Sequence, residues 1–184
     1  MSPVGFVLRA EWRRWRAGMA WRAPRGMRRW LADQGSLTRR VQWRCRGVFK
    51  VRLIRQAWER PTVSEAVLLG ARGWMLCREV VLCCGDEPWV FARTLIPRAS
   101  LRGGARCLRL LGERPLGEVL FSDPATRRQR VEVARLAVDD PLWRRATAAC
   151  GLRGDDLWGR RTLFRYAGKP LLVNEIFLPV VDSR

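Results

Sequence analysis

Three charged residues sit where apolar strands should not carry them. Side chains of an extended segment alternate between two faces. Trp74–Cys84 places Trp74, Leu76, Arg78, Val80 and Leu82 on one face, so Arg78 interrupts an apolar stripe. Trp89–Ile96 does the same with Trp89, Phe91, Arg93 and Leu95, and Leu171–Leu178 with Leu171, Val173, Glu175 and Phe177. Burying an unpaired charge is costly even after relaxation, so each needs a partner. Two readings stay open. One is an internal ion pair, such as Glu175 or Glu79 with one of the arginines. The other is a closed cavity in which two arginines and a glutamate face an anionic ligand. Arginine suits the second reading because its planar fork grips a carboxylate through two hydrogen bonds.

The rest of the composition narrows the chemistry. The chain contains no histidine, which removes the usual catalytic triads and the commonest neutral-pH general base. Its six cysteines, Cys45, Cys77, Cys83, Cys84, Cys107 and Cys150, form no Cys-x-x-Cys pair, so the spacing of a structural zinc site is absent. Reduced, mostly buried thiols are expected. Chemistry is left to carboxylates, arginines, lysine, hydroxyls, thiols and backbone groups.

The elements that must position these residues read as consecutive hairpins. Val48–Trp58 alternates as a strand. Val63–Leu69 is expected to be a short helix ending near Gly70. Trp74–Cys84 and Trp89–Pro97 flank the turn signal Gly85-Asp86-Glu87-Pro88 and form a hairpin. Leu101–Leu111 reads as a helix stopped by Gly112, and Pro115-Leu116-Gly117 as a tight turn. Arg128–Val138 is a strand and Pro141–Cys150 a helix. Arg161–Tyr166 and Leu171–Leu178 form a second hairpin across Ala167-Gly168-Lys169-Pro170. The pattern predicts one α+β domain, an antiparallel β-sheet with helices packed on one face.

A chain of 184 residues is long enough to bury a core without disulfides or metals. It carries 36 Lys+Arg against 17 Asp+Glu, a net +19, and all but two of the basic residues (Lys50 and Lys169) are arginine. Attraction to anions is one reading of that charge; a GC-rich coding bias is the plainer one. Residues 1–30 form a basic arm in which Trp12, Trp15, Trp21 and Trp30 interleave with arginines. Trp12 and Trp15 share one face if the segment is helical. Residues 31–184 are expected to be the working domain. The first residues are broken by charge too early for a secretory segment, and no apolar run approaches a membrane span. A cytoplasmic protein is expected.

Three segments carry a resemblance: Trp74–Pro97 (WMLCREVVLCCGDEPWVFARTLIP), Leu111–Phe121 (LGERPLGEVLF) and Leu157–Pro179 (LWGRRTLFRYAGKPLLVNEIFLP). In order and spacing the chain resembles the chorismate pyruvate-lyase (chorismate lyase) family from about residue 28 to 180. The resemblance implies an internal ligand cavity closed by flaps, and conversion of chorismate to 4-hydroxybenzoate and pyruvate without cofactor or metal. It implies Arg78 as the ligand for a substrate carboxylate and Arg93 as a second anion-binding residue. It implies Leu116 as a backbone contact and Glu175 as the residue beside the substrate hydroxyl. Ser36-Leu37-Thr38 stands where the family often has Ser-Met-Thr, which makes Leu37 a ligand-covering residue. Ala137–Asp155 looks longer than its equivalent and is expected to be a surface insertion able to alter a flap. The partners implied are small molecules, with a monomer expected. Two rivals are weighed against the enzyme. One is a non-catalytic aromatic-acid-binding module like the effector domains of GntR-type regulators, for which residues 1–40 are too short to supply the DNA-binding half. The other is a nucleic-acid-binding protein, which would show steep salt dependence.

Overall fold

The computed structural model describes residues 11–14, 23–138 and 140–183. Seven strands build one antiparallel sheet: β1 (Arg13–Arg14), β2 (Phe49–Glu59), β3 (Met75–Cys84), β4 (Glu87–Pro97), β5 (Arg127–Leu136), β6 (Leu157–Tyr166) and β7 (Lys169–Phe177). Their order is β1-β5-β6-β7-β4-β3-β2. The two hairpins expected from the turn signals, β3–β4 and β6–β7, are both present. In the second, Ala167 and Gly168 both take positive φ (47° and 72°), the backbone of the type I′ turn that matches strand twist.

Among the described residues five α-helices accompany the sheet: α1 (Arg25–Ala32), α2 (Leu37–Arg44), α3 (Val63–Leu69), α4 (Leu116–Ser122) and α5 (Pro141–Cys150). They cover both faces, not one. On the front, Met27, Trp30 and Leu31 of α1 and Leu37 and Val41 of α2 pack on Val51, Val80, Leu82, Ala92 and Phe177. A second front cluster joins Leu76, Ile96, Phe164, Leu171 and Val173 to Leu108, Leu111 and Leu120. On the back, α5 sets Ala146 against Phe91 and Ile176, and α3 sets Leu69 against Met75, Leu95 and Leu172. Nearly every position of β3 and β4 is buried, because both faces of these central strands are covered. Continuous apolar runs, rather than strict alternation, are the mark of such strands.

Several expectations change. Leu37–Arg44 is helical, an element the strand and hairpin pattern did not include. Ser36 caps α2, its Oγ accepting from the Arg39 N–H at 3.4 Å. Leu101–Leu111 is not an α-helix; two 3-10 stretches, Arg98–Leu101 and Gly103–Leu110, replace it. Pro115-Leu116-Gly117 opens α4 rather than closing a turn. The division at residue 30 runs through α1, where Met27, Trp30 and Leu31 are buried and Trp30 Nε1 donates to the Val181 carbonyl at 2.9 Å. A helix bearing Trp12 and Trp15 is not formed at Arg13–Arg14, which pairs with β5 as an edge strand. Trp15 and Trp21 lie outside the described residues. Ala137–Asp155 contains α5, which covers the back of the sheet. Finally, Cys45 and Cys84 form a disulfide, whereas six thiols were expected; Cys77, Cys83, Cys107 and Cys150 are free. The bond ties the C-terminal cap of α2 to the end of β3.

Candidate active site

A cavity lies on the front face between the two front clusters, with about 540 Å³ of atom-free space including its mouth. The sheet supplies its floor: Arg78 and Val80 from β3, Ala92 and Thr94 from β4, Val173 and Glu175 from β7, and Phe164 from β6. The first residues of α2 (Leu37, Thr38) and of α4 (Leu116, Gly117), with Pro115 just before α4, form the roof. Four of the five residues singled out in the sequence therefore meet here: Arg78, Glu175, Leu116 and Leu37.

Arg78 is 2% exposed. Among the described residues it makes no ion pair; its charge is met by carbonyls alone. Nε and Nη2 donate to the Gly112 carbonyl at 3.2 and 2.8 Å, and Nη2 also donates to the Arg114 carbonyl at 2.9 Å. Burial pushes the guanidinium down to about 10, because a low-dielectric setting disfavours the charged form. The cation thus stands at the cavity wall with carbonyl partners only among the described residues. The same contacts anchor the loop that leads into Pro115 and the roof.

Glu175 sits across the cavity floor on β7. Its Oε2 accepts from Arg160 Nε at 2.6 Å. Arg160, on β6, is its direct register partner and is 1% exposed. Arg160 Nη1 donates to the Trp30 carbonyl at 3.1 Å and to that of Asp33. Glu175 is thus half of an ion pair, as one sequence reading allowed, but its partner is an arginine that the reading had not considered.

Arg93 does not join the site. The register pairs Arg78 with Thr94 and Glu79 with Arg93, so the two arginines point to opposite faces. Arg93 bonds Glu79 at 2.7 Å, Glu59 at 3.0 Å and Glu65 at 3.4 Å on the back. Burial alone would depress its pKa; Cys77 and these three carboxylates outweigh that and hold it above the ordinary arginine value. Arg145 of α5 reaches the same cluster, bonding Glu79 at 2.8 Å. The Arg93–Glu79 pair is one the sequence had offered. Arg93 therefore lies outside the front cavity, its charge met by carboxylates behind the sheet.

The cavity holds polar residues that the sequence reading missed: Thr38, Thr94 and Arg128. Arg128 stands at the start of β5 in the run Arg127-Arg128-Gln129-Arg130, where no apolar stripe exists to make one arginine conspicuous. Its guanidinium stacks 5.3 Å from both the Phe121 and the Phe164 rings. Burial, then the neighbouring Arg160 cation, depress its pKa. Arg160 was hidden for another reason. Arg160 and Arg161 are adjacent, so one faces Glu175 in front and the other Glu132 behind, at 2.5 Å.

The fold defines a class of small α+β domains built on one antiparallel sheet. Among solved structures it is similar to the effector domain of PhnF from Mycobacterium smegmatis (TM-score 0.54, 16% identity, 80% of this chain and 91% of that one). It is also similar to a GntR-family transcriptional regulator from Bacillus cereus (TM-score 0.53, 14% identity, 72% and 92%). These likenesses concern fold alone. The sequence separates the chain from them. The chorismate lyase family model matches residues 8–184. A probable chorismate pyruvate-lyase of Azoarcus sp. (strain BH72) is 45% identical over 165 residues, covering 86% of this chain and 87% of that protein. One of Methylococcus capsulatus is 43% identical over 159 residues, covering 85% and 97%. The chain belongs to the chorismate lyase family.

Proposed function

We propose that the front cavity binds chorismate and eliminates pyruvate from it, leaving 4-hydroxybenzoate for ubiquinone assembly. The observation that carries this reading is the pairing, at one cavity, of a buried arginine that makes no ion pair among the described residues and a carboxylate fixed by a second arginine.

Chorismate carries a ring carboxylate, a ring hydroxyl and an enolpyruvyl ether with its own carboxylate. The ether C–O bond breaks and its electron pair leaves with the enolpyruvyl oxygen. The C–H bond at the hydroxyl-bearing carbon breaks, and its electrons complete the aromatic ring. The ring proton balances the one that converts enolpyruvate to pyruvate. Aromatisation drives the step, so the protein's work is positioning and charge handling, and the reaction consumes no cofactor. Arg78 holds the ring carboxylate. Glu175, anchored through Oε2 by Arg160, offers its other oxygen to the ring hydroxyl and selects the reactive conformer. Leu37 and Leu116 in the roof exclude water, which strengthens each of these contacts. The chain works as a monomer in the cytoplasm, where most thiols are kept reduced.

The experiment is incubation of the purified protein with chorismate, following 4-hydroxybenzoate absorbance and pyruvate together. Equimolar release of both is expected. Binding of 4-hydroxybenzoate without turnover of chorismate would overturn the reading in favour of a binding module.

A further inference from the structure

Among the described residues two buried guanidinium donors have no acceptor here: Nε of Arg128, which lines the cavity, and Nη2 of Arg160, the partner of the lining Glu175. A buried donor left unpaired costs more than an ordinary hydrogen bond returns, so each such group calls for an explanation. Other donors of both residues reach the segment from Trp30 to Gly35, while Arg160 Nε is engaged by Glu175. Arg160 Nη1 donates to the Trp30 and Asp33 carbonyls; Arg128 donates to Gln34 through Nη1 and to the Gly35 carbonyl through Nη2 at 2.6 Å. The turn and the flanking Phe121 and Phe164 rings hold the Arg128 plane in place. An unused donor on a fixed cation, at the wall of a cavity, is an anion subsite.

The strand order says which anion. Glu175 lies on β7, two strand steps from Arg78 on β3 and two from Arg128 on β5. The two arginines are thus four steps apart, roughly 19 Å across a flat sheet at the usual strand spacing, and both line the cavity between them. A ligand whose ring carboxylate sits on Arg78 and whose hydroxyl meets Glu175 leaves Arg128, the other arginine lining the cavity, for its one remaining charged substituent. In chorismate that substituent is the enolpyruvyl ether.

We propose that Arg128 is the receptor for the enolpyruvyl carboxylate and the residue that separates the dianionic substrate from the monoanionic product. This rests on the reading of the cavity as a chorismate site. Arg160, paired with Glu175 and carrying its own unused donor, adds positive charge behind the same end. As the ether oxygen gains electron density, these cations stabilise the departing group; once pyruvate has gone, the product has nothing left to offer Arg128.

The test compares substrate and product on Arg128→Met and Arg128→Lys. For Arg128→Met, kcat/KM with chorismate is expected to fall about 30-fold, the worth of a charge-assisted contact. The Kd for 4-hydroxybenzoate is expected to stay within about threefold, since one carboxylate and one hydroxyl are unaffected. Arg128→Lys, which keeps the charge but not the fork, is expected to recover part of the loss, and it decides the matter if Arg128→Met does not fold. Equal weakening toward substrate and product would overturn the proposal, since loss of the turn would act on both. So would unchanged kcat/KM. A wild-type protein that neither binds 4-hydroxybenzoate nor turns over chorismate would instead sink the cavity assignment itself.

Discussion

Arg78 and Arg93 stand on neighbouring strands and face opposite sides of the sheet, because the register sets Arg78 beside Thr94 and Arg93 beside Glu79. One makes no ion pair among the described residues; the other is already surrounded by Glu59, Glu65 and Glu79. Their substitutions should therefore fail in different ways. Arg93→Met leaves buried carboxylates without their cation, which costs about 3–5 kcal/mol. At about 2–4 °C per kcal/mol for a domain of this size, the thermal midpoint should drop by roughly 10 °C. The fraction that remains folded should bind 4-hydroxybenzoate as the wild type does. Melting curves with and without the ligand test this; a selective loss of ligand affinity would return Arg93 to the site.

Arg78→Ala should abolish turnover in a protein that still folds. It removes the proposed receptor for the ring carboxylate and also the clamp on the Gly112 and Arg114 carbonyls, so the roof loosens as well. A loss of at least about 100-fold in kcat/KM follows from removing a bidentate charge-assisted contact. The rise in melting temperature caused by 4-hydroxybenzoate should vanish with it. Circular dichroism confirms the fold, and full activity in a folded variant would exclude Arg78.

The front floor of the site was legible because charge inside an apolar stripe is conspicuous: Arg78 and Glu175 both declared themselves that way. Arg93 declared itself equally loudly, yet alternation fixes only which residues of one strand share a face. It does not say how neighbouring strands are registered, and register alone sends Arg93 to the back. Glycine and turn signals placed both central hairpins. The roof was harder to see. α2 shows only Leu37 and Val41 as apolar residues on one face among arginines, and α4 begins in a Pro-Leu-Gly triplet that reads as a turn. Both helices gain their stability from the cavity edge they cover rather than from their own sequence.

Glu59 gives the fold an acid-sensitive point. Burial would raise its pKa; the hydrogen bond and charge of Arg93, then Arg145 and Arg55, more than reverse this and leave it below the ordinary glutamate value. A carboxyl depressed in the folded state stabilises the fold above its unfolded pKa, about 4.3, and that stability is lost as pH falls through the folded value. The urea midpoint should thus be flat from pH 7 to about 5 and decline below it. Glu59→Gln should have a lower midpoint at pH 7 and a shallower decline. Parallel curves for the two proteins would show that other carboxylates dominate.

The Cys45–Cys84 bond closes a separation of 39 residues. Chain-entropy reasoning gives such a loop about 4 kcal/mol of stabilisation. Protein purified without reductant and denatured without reduction should titrate with four thiols, and with six after reduction, matching one pair and four free cysteines. Reduction should lower the melting temperature. It should also loosen α2, whose far end the bond holds and whose first residues, Leu37 and Thr38, roof the cavity. Faster release of 4-hydroxybenzoate from the reduced protein is therefore expected, measured by stopped-flow displacement. Six thiols from the outset would show the pair to be open.

Gly117 marks where the two roof helices meet. A Cβ there would lie 2.8 Å from Thr38 Oγ1 and 2.9 Å from Ser36 Oγ, closer than a carbon can approach an oxygen without movement. Thr38 is buried, and Ser36 is engaged as the cap of α2, so neither side chain has an easy way to yield. Gly117→Ala should therefore push α4 away from α2 at the point that closes the cavity. Overpacking of this kind costs about 1–3 kcal/mol. Product affinity should weaken roughly tenfold if that cost falls on the closed state. Where product departure limits turnover, kcat should rise even as KM rises, the reverse of what damage to the catalytic floor would do. Steady-state kinetics with a parallel measurement of 4-hydroxybenzoate affinity separates the two. A fall in kcat at unchanged product affinity would mean that this contact orders the floor instead of holding the roof shut.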